Sequence, residues 1–573
     1  MVAFVSGNTL GLSNSSLALL GRSGVVGDAQ SGRAGEQVYV NAATGDLIIQ
    51  RQDEWVDSMG FGVPTALLRT YNSQGKFTDD NADNWQMSVA KTLGAYTANV
   101  SITRNDGDGT SLVYNYDSGS GAYVCKSGAG AFDTLKLAGG TWTWTDGASG
   151  ATETYDASQL RIRTSADREN KVTSYGYTGS LVTTITDAAG EITALNYTGT
   201  TLNSITTTNT DASTTNRVSY GYDSTTNKLN SVTAVTSSGK TYVTTYGYNT
   251  KGQLSSVTQP DGSKLGFTYD TTATPRVTQV TQTMADGSTR LTKLTYNTAT
   301  KTTITDPLSN QTVLNFDGSK RIASIVGPST ATGQQTVSFS YDPATGEIQT
   351  QTDARNNVIS YSYDAMGRQT DQISGTAASN GTGNSIHRSF SSSTGVLLSE
   401  TVYLTPDPDG SAGVGLPSNG LTTNYVYNSG ETHVLYAVSP QGRVTQYSYD
   451  AVGHLAICAH AWCAIAVKPS HIRPAVPLFP AVRVEQVHPT TFIGPATSSC
   501  LLAGKNEAPK RLAPRSLCKC TAGAKPWTQP AAPIFPSRKQ PACDSTRASR
   551  NSTTRSFACG RRSLTPAAIC AGP

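Results

Sequence analysis

The sequence predicts an all-β protein made of repeated β-hairpins, on three observations. A phrase of the form ring-x-Tyr-Asp/Asn recurs at a narrow range of intervals, turn residues follow it, and no sustained helical apolar period appears before residue 450. The copies are Tyr175-Gly-Tyr177, Leu195-Asn-Tyr197, Tyr220-Gly-Tyr222-Asp223, Tyr246-Gly-Tyr248-Asn249, Phe267-Thr-Tyr269-Asp270, Leu294-Thr-Tyr296-Asn297, Leu314-Asn-Phe316-Asp317, Phe339-Ser-Tyr341-Asp342, Tyr361-Ser-Tyr363-Asp364, Tyr425-Val-Tyr427-Asn428 and Tyr447-Ser-Tyr449-Asp450. From 177 to 363 the second ring advances by 20, 25, 26, 21, 27, 20, 25 and 22 residues, too regular for chance and too variable for a heptad array.

In chain order, residues 1–36 are rich in Gly, Ser and other small residues and read as a flexible segment. The first basic residue is Arg22, and polar residues interrupt the apolar letters before it, so no classical signal peptide is expected. No apolar stretch is long enough to span a bilayer as a helix. Residues 37–150 read as β-rich, beginning with a hairpin of Val38–Asn41 and Leu47–Gln50 around Thr44-Gly45-Asp46. Tyr114-Asn-Tyr116-Asp117 and Tyr155-Asp156 are degenerate copies of the phrase. Trp142 and Trp144 are expected to cover one end of the stack, with a sugar-stacking platform as the sharper alternative.

The array proper is read as residues 151–454. Two rings one residue apart point to one face of a strand, so each unit is β. The Asp or Asn after the second ring, with Gly three residues on as in Asp364-Ala-Met-Gly367, gives a type I turn, and β-branched stretches such as Leu254–Thr258 supply the second strand. A lone hairpin buries too little apolar area to offset its chain entropy, so the units must stack on one another into a coiling sheet. The repeat count alone leaves open whether that sheet closes.

These residues resemble the YD repeats of the Rhs family, which includes polymorphic bacterial toxins, insecticidal toxin-complex subunits and teneurins; the resemblance covers roughly residues 150–455. Leu67–Gly75, with Arg69-Thr-Tyr71-Asn72-Ser73, is similar to a phrase that introduces Rhs cores. The resemblance implies an Rhs-type β-shell enclosing a C-terminal toxic domain, and a secreted or cell-surface bacterial protein. Older descriptions of the family add carbohydrate binding.

Past Gly453 the pattern stops. Residues 455–573 hold 8 of the 9 Cys, 15 of the 25 Pro and none of the 26 Tyr, so they do not continue the same fold. They carry 16 Lys and Arg against 3 Asp and Glu, a net +13, whereas 28 against 37 leaves residues 1–454 at −9. The segment is expected to be a disordered basic tail. A shifted reading frame accounts for it best; a variable toxin tip and a nucleic-acid-binding arm are the alternatives, although Asp407-Pro-Asp-Gly410 reads as a turn rather than a core-closing signature.

No catalytic, cofactor or metal residue is assigned. His454, Cys458, His460 and Cys463 have ligand chemistry but match no finger spacing, Cys518-Lys-Cys520 is weaker still, and His387 and His433 have no nucleophile at a recognisable offset. The recurring Asp223, Asp270, Asp342, Asp364 and Asp450 are turn starters that need only backbone partners. The residues that define the array are therefore structural: these five with Tyr175, Tyr177, Tyr220, Tyr222, Tyr246, Tyr248, Tyr269, Tyr341, Tyr361, Tyr363, Tyr447 and Tyr449. The expected function is that of a non-catalytic shell fragment whose partner is a C-terminal effector absent here. A carbohydrate-binding module is the alternative, a toxic tail the second, and nucleic acid is not an expected partner.

Overall fold

A computed structural model of the 573-residue chain describes residues 2–462, apart from 13–29, 32–35, 57–64, 76, 78–82, 128–130, 209–213, 237–238, 332, 377–384, 404–419, 451–452 and 454. The described residues are all-β, with thirty-eight strands and no helix, so no helix among them is long and apolar enough to cross a membrane. The tail from Cys463, with Cys518 and Cys520, lies outside the described residues, as does the Asp407 turn.

Two sheets form. The first comprises β1 (Ala3–Val5), β2 (Gln30–Ser31), β3 (Glu36–Asn41), β4 (Leu47–Val56), β5 (Thr65–Asn72) and β6 (Trp85–Met87). Its order is β1-β3-β4-β5-β6, with β1 parallel to β3 and β2 also on β3. This corrects the reading of residues 1–36 as flexible throughout: Ala3, Phe4 and Val5 are buried, and the Ala42 amide donates to the Val5 carbonyl at 2.8 Å. Three consecutive apolar residues had backbone partners waiting on β3, which outweighed the small-residue composition around them.

The second sheet is one antiparallel ladder of thirty-two strands in chain order. It starts with β7 (Thr92–Thr97), β8 (Ser101–Asn105), β9 (Ser111–Asp117), β10 (Ala122–Val124), β11 (Thr134–Ala138), β12 (Thr141–Thr145), β13 (Thr152–Asp156), β14 (Ile162–Ala166) and β15 (Val172–Thr178). The ladder crosses residue 150 without a break, so the structural boundary lies between Met87 and Thr92 instead. It also runs past residue 454. Leu455–Trp462 is a strand paired with Arg443–Tyr449, contrary to the expectation that no strand follows Gly453, since an added strand needs only backbone partners and the preceding strand supplies them.

The ladder meets itself once. β15 pairs with β14 over three residues and then leaves it. β7 takes the vacated side through Thr92 opposite Arg161, with the Leu93 amide on the Leu160 carbonyl (2.6 Å) and the Ile162 amide on the Lys91 carbonyl (3.3 Å). Strands β7–β14 thus form a closed ring, after which the sheet runs on as an open coil. Trp142 of β12 is buried inside that ring, edge-on to Tyr96 and Tyr123, and the Trp144 indole donates to Tyr114 with the Arg104 guanidinium over its face. Both Trp residues pack within the sheet's first turn instead of capping its end.

Each repeat carries a feature that ring spacing does not reveal. In the hairpin of Thr241–Tyr248 and Leu254–Thr258, Tyr248 opposes Leu254 but Gly247 opposes Ser256, leaving Ser255 as a bulge. The same register shift falls just before the second ring at Tyr177, Tyr197, Tyr222, Tyr269, Phe316, Tyr341, Tyr363, Tyr427 and Tyr449. The ladder to the next unit is short: Ser256–Thr258 pairs with Lys264–Gly266 and stops, so the Leu254 carbonyl has no strand partner. The Tyr269 hydroxyl of the next unit donates to it at 2.8 Å.

Nine second-ring tyrosines make this bond, at 2.7–3.0 Å, eight of them to the residue that opens the second strand of the unit before and Tyr222 to Leu202, the second residue of its strand. That explains Tyr over Phe at the position. Tyr296→Phe is expected to lower stability by about 1–2 kcal/mol, because the carbonyl of buried Val277 loses its partner. A urea midpoint shifted by no more than that of an exposed Tyr242→Phe control would count against the bond.

The turns alternate between the two edges of the coil. The first rim carries the Tyr-Asp turns and the second rim the turns that lead into each new repeat. In the late part of the array, first-rim turns seat on the second rim of the first turn of the coil: the Phe132 amide donates to the Met366 carbonyl (2.7 Å), Lys126 reaches the Ala344 carbonyl, and His433 faces Glu169 at 2.6 Å. Gly367 shows how close the seam is, since a Cβ there would lie 2.5 Å from the Phe132 ring.

Candidate functional site

The ring-bearing face is the surface the sequence singles out, and its cover is uneven. The first rings Tyr175, Leu195, Tyr220, Tyr246, Phe267, Leu294, Leu314 and Phe339 are buried, whereas Tyr361, Tyr425 and Tyr447 are only half-buried. The second rings Tyr177, Tyr222, Tyr248, Tyr269, Tyr341, Tyr363 and Tyr449 lie half-buried, with their hydroxyls committed to the preceding repeat.

The turn aspartates hold backbone. Asp223 accepts the Thr225 and Thr226 amides, Asp270 those of Thr272 and Arg276, Asp342 those of Ala344 and Thr345, and Asp364 those of Met366 and Arg368. The Asp450 carbonyl takes the Gly453 amide. Where an Arg closes the turn, the other carboxylate oxygen binds its Nε: Asp270–Arg276 (2.7 Å), Asp317–Arg321 (2.8 Å) and Asp364–Arg368 (2.6 Å). Each guanidinium then lies over the second ring of the next unit, Tyr296, Tyr341 and Phe390 respectively. The side chains run Asp to Arg to ring from one repeat to the next, and the aspartates are not gathered into one cluster.

The first sheet covers the middle of the array, and the Leu67–Gly75 phrase supplies much of the attachment. The Leu254 amide donates to the Tyr71 hydroxyl at 3.0 Å. Asn72 ties the Leu10 and Asp108 carbonyls, and Ser73 donates to Asp46 at 2.8 Å. Burial pushes the Asp46 carboxyl up to about 7 despite that bond and the one from the Gln74 amide. The turn before it meets the array where the Val277 amide donates to the Gly45 carbonyl (2.9 Å).

Arg69 binds Asp53 through Nε (2.7 Å) and Nη2 (3.2 Å), lies over Trp85 at 4.7 Å, and donates to the Tyr246 hydroxyl. Tyr220 also donates to Asp53 (2.7 Å), and Glu36 accepts from Tyr246 and Gln259. Sequence reasoning found the phrase but missed this charged network, because Arg69 and the tyrosines it meets, Tyr220 and Tyr246, are more than 150 residues apart.

A cavity of about 650 Å³ lies beside this network, lined by Arg69, Trp85, Lys91, Tyr177, Tyr197 and Tyr222 among others. Of its cations, Arg69 is held by Asp53 and Lys91 by Glu153, while Arg161 lies over the Tyr177 ring and donates to the Gly179 carbonyl. Elsewhere His387 binds Asp371 through Nδ1 at 2.6 Å, and no nucleophile is placed on its other nitrogen among the described residues. The side chains of His454, Cys458, His460 and Cys463 lie outside the described residues.

A family model, the teneurin YD-shell, matches residues 261–396. Among solved structures, TcdB2-TccC3 without its hypervariable C-terminal region is 13% identical, with 72% of this chain and 22% of that chain covered and a TM-score of 0.34. TcdB2-TccC3-Cdc42 is similar at 14% identity, 73% and 22% coverage and a TM-score of 0.34. The Photorhabdus luminescens Tc holotoxin pore with mutation TccC3-D651A stands at 11%, 74%, 25% and 0.30. No curated protein sequence matches. The chain spans about a quarter or less of the length of these three solved chains. The YD-shell match lies inside the array, and the same bulge, hydroxyl bond and turn are repeated on both sides of it.

Proposed function

We propose that this chain is a non-catalytic segment of a secreted or surface-exposed bacterial shell, which in the intact protein encloses and presents a C-terminal effector that is absent here. The observation that carries the reading is the uneven cover of the ring face. The first sheet buries the rings of the middle repeats, and from Tyr361 onward the same kind of ring is left half-exposed. A sheet face of this kind is stable only when another layer lies on it, and a polypeptide cargo would supply that layer.

The 16 Lys and Arg of residues 463–573 allow a direct test. Limited trypsin digestion of the full chain is expected to remove the tail quickly and leave a resistant body ending near Trp462. An intact full-length band under conditions that digest a denatured control would mean that the tail is itself enclosed, and would sink the claim that the effector is missing.

The half-exposed Tyr361, Tyr425 and Tyr447 also support the second reading, a carbohydrate-binding surface. Saturable binding on a glycan array, lost on Tyr425→Ala, would favour it. A toxic tail would instead show itself as loss of viability or nucleic-acid cleavage when residues 455–573 are expressed.

A further inference from the structure

We propose that the turn between β3 and β4 is a pH-sensitive clasp: a proton on Asp46 holds the first sheet on the array, and loss of that proton loosens it. Four successive carbonyls of the turn are taken. Thr302 donates to Ala42 (2.7 Å), Lys320 to Ala43 (3.2 Å) and the Val277 amide to Gly45 (2.9 Å), while Gln74 Nε2 spans the Thr44 carbonyl (3.1 Å) and the Pro275 carbonyl (3.4 Å). Gly45 has a φ of +79°, and a Cβ there would overlap the Arg276 side chain, so the turn is seated on the array with no room to spare.

Asp46 is fully buried at the end of this turn. Its Oδ1 accepts the Ser73 hydroxyl (2.8 Å) and the Gln74 amide (3.0 Å), which fastens the turn to the residues that follow β5. Its Oδ2 accepts nothing. The Asn72 side chain stands beside the carboxyl, but its two amide hydrogens go to the Leu10 and Asp108 carbonyls. A carboxylate here is a buried charge with one oxygen unsatisfied and no cation to offset it, and the neutral acid carries a far smaller penalty.

The other groups that face the turn do not change charge in the same range. Burial pushes the hydroxyls of Tyr71 on β5, and of Tyr269 and Tyr296 in the array, above their ordinary value, so they stay neutral. Burial acts against Asp270 too, but its bonds from Thr272 and Arg276 bring it down to about 2, and it remains the carboxylate that holds Arg276 Nε at 2.7 Å. Lys320 spends its ammonium on the Ala43 carbonyl.

Burial brings the Asp46 carboxyl from 3.8 up to about 7, so the seated turn keeps its proton where a released, hydrated Asp46 has lost it. Releasing the turn therefore frees one proton. The ratio of released to seated turn rises about tenfold for each pH unit between about pH 4 and about pH 7 and levels off above, so the cover over the middle rings is tightest in acid. This holds whatever the shell carries, and the trypsin result can fail without affecting it.

Hydrogen exchange of the full chain from about pH 5 to about pH 9, expressed as protection so that the pH dependence of the exchange chemistry cancels, tests it. Protection of the Gln74 and Val277 amides is expected to fall about a hundredfold between pH 5 and pH 7 and to level off above, with no such break within Asn357–Tyr363. Asp46→Asn has no proton to lose, so its profile should be flat. In Ser73→Ala the carboxylate loses a donor, and the fall should move to higher pH. A parent profile without a break near pH 7 overturns the proposal even where the Asn variant does not fold, and a break that Ser73→Ala leaves in place counts against it. So does the same fall in Asp46→Asn, which would assign it to Glu36 or Asp83, both also raised by burial. An equal fall within Asn357–Tyr363 would mark global unfolding and overturn it as well.

Discussion

Asp53→Ala is expected to cost about 3–5 kcal/mol and to loosen the first sheet from the array. The Asp53 and Arg69 side chains are 1% and 3% exposed, so removing the carboxylate leaves a guanidinium in a dry site without the anion that binds two of its nitrogens. Its stacking on Trp85 and Tyr246 remains, but ring quadrupoles offset only about 1–2 kcal/mol of that loss. Tyr220 loses its acceptor in the same step.

The double variant Asp53→Leu with Arg69→Met should be milder than the sum of the singles, since no uncompensated charge is left behind. Urea unfolding followed by tryptophan emission, with Trp85 inside the network, reads the effect. Hydrogen exchange at Val38–Leu47 shows whether the sheet detaches first. A midpoint change of the single variant no larger than that of a surface Asp117→Ala would refute the account.

This network marks the limit of what was legible in the sequence. The units, their β character and their turn chemistry could be read because each is a local pattern: Tyr363, Asp364 and Gly367 lie within five residues, and their roles follow from side-chain alternation and turn geometry. The bulge before each second ring was hidden, since the ring spacing reads the same with or without the extra residue on the opposite strand. The hydroxyl bond to the preceding repeat was hidden with it, although the preference for Tyr over Phe at that one position was its visible trace.

The cover sheet failed to announce itself for a different reason. Arg51, Asp53 and Arg69 look like solvated strand residues until Thr244, Tyr220 and Tyr246 are brought onto them from far along the chain. Leu455–Trp462 misled in the opposite direction, since its composition had already left the repeat pattern while its backbone still found the edge of the preceding strand.

The closure of the first coil rests on a second buried charge cluster, and acid is expected to open it. Glu153 on β13 binds Arg104 (2.7 Å) and Lys91, and accepts from Tyr155 (2.5 Å); Arg104 also holds Asp106 at 2.8 Å. Burial alone would raise the Glu153 carboxyl, but Lys91 and Arg104 more than offset it and bring it down from 4.5 to about 2. With the folded value below the unfolded one, the unfolded chain takes up the proton first as pH falls. The stabilisation is complete above about pH 4.5 and disappears by about pH 2, amounting to about 3 kcal/mol.

Asp106, raised chiefly by burial, acts in the opposite sense, so the comparison that isolates Glu153 is with Glu153→Gln. That variant should lose about 3–5 kcal/mol at neutral pH, with two cations left without their shared anion, and should show a flatter acid limb than the parent. Because Lys91 sits where β7 joins the start of β14, the Leu93 and Ile162 amides that close the ring should exchange faster in the variant than amides in Leu254–Thr258. Uniform exchange across both regions, or parallel acid limbs for parent and variant, would show that the ring is held by its backbone bonds alone.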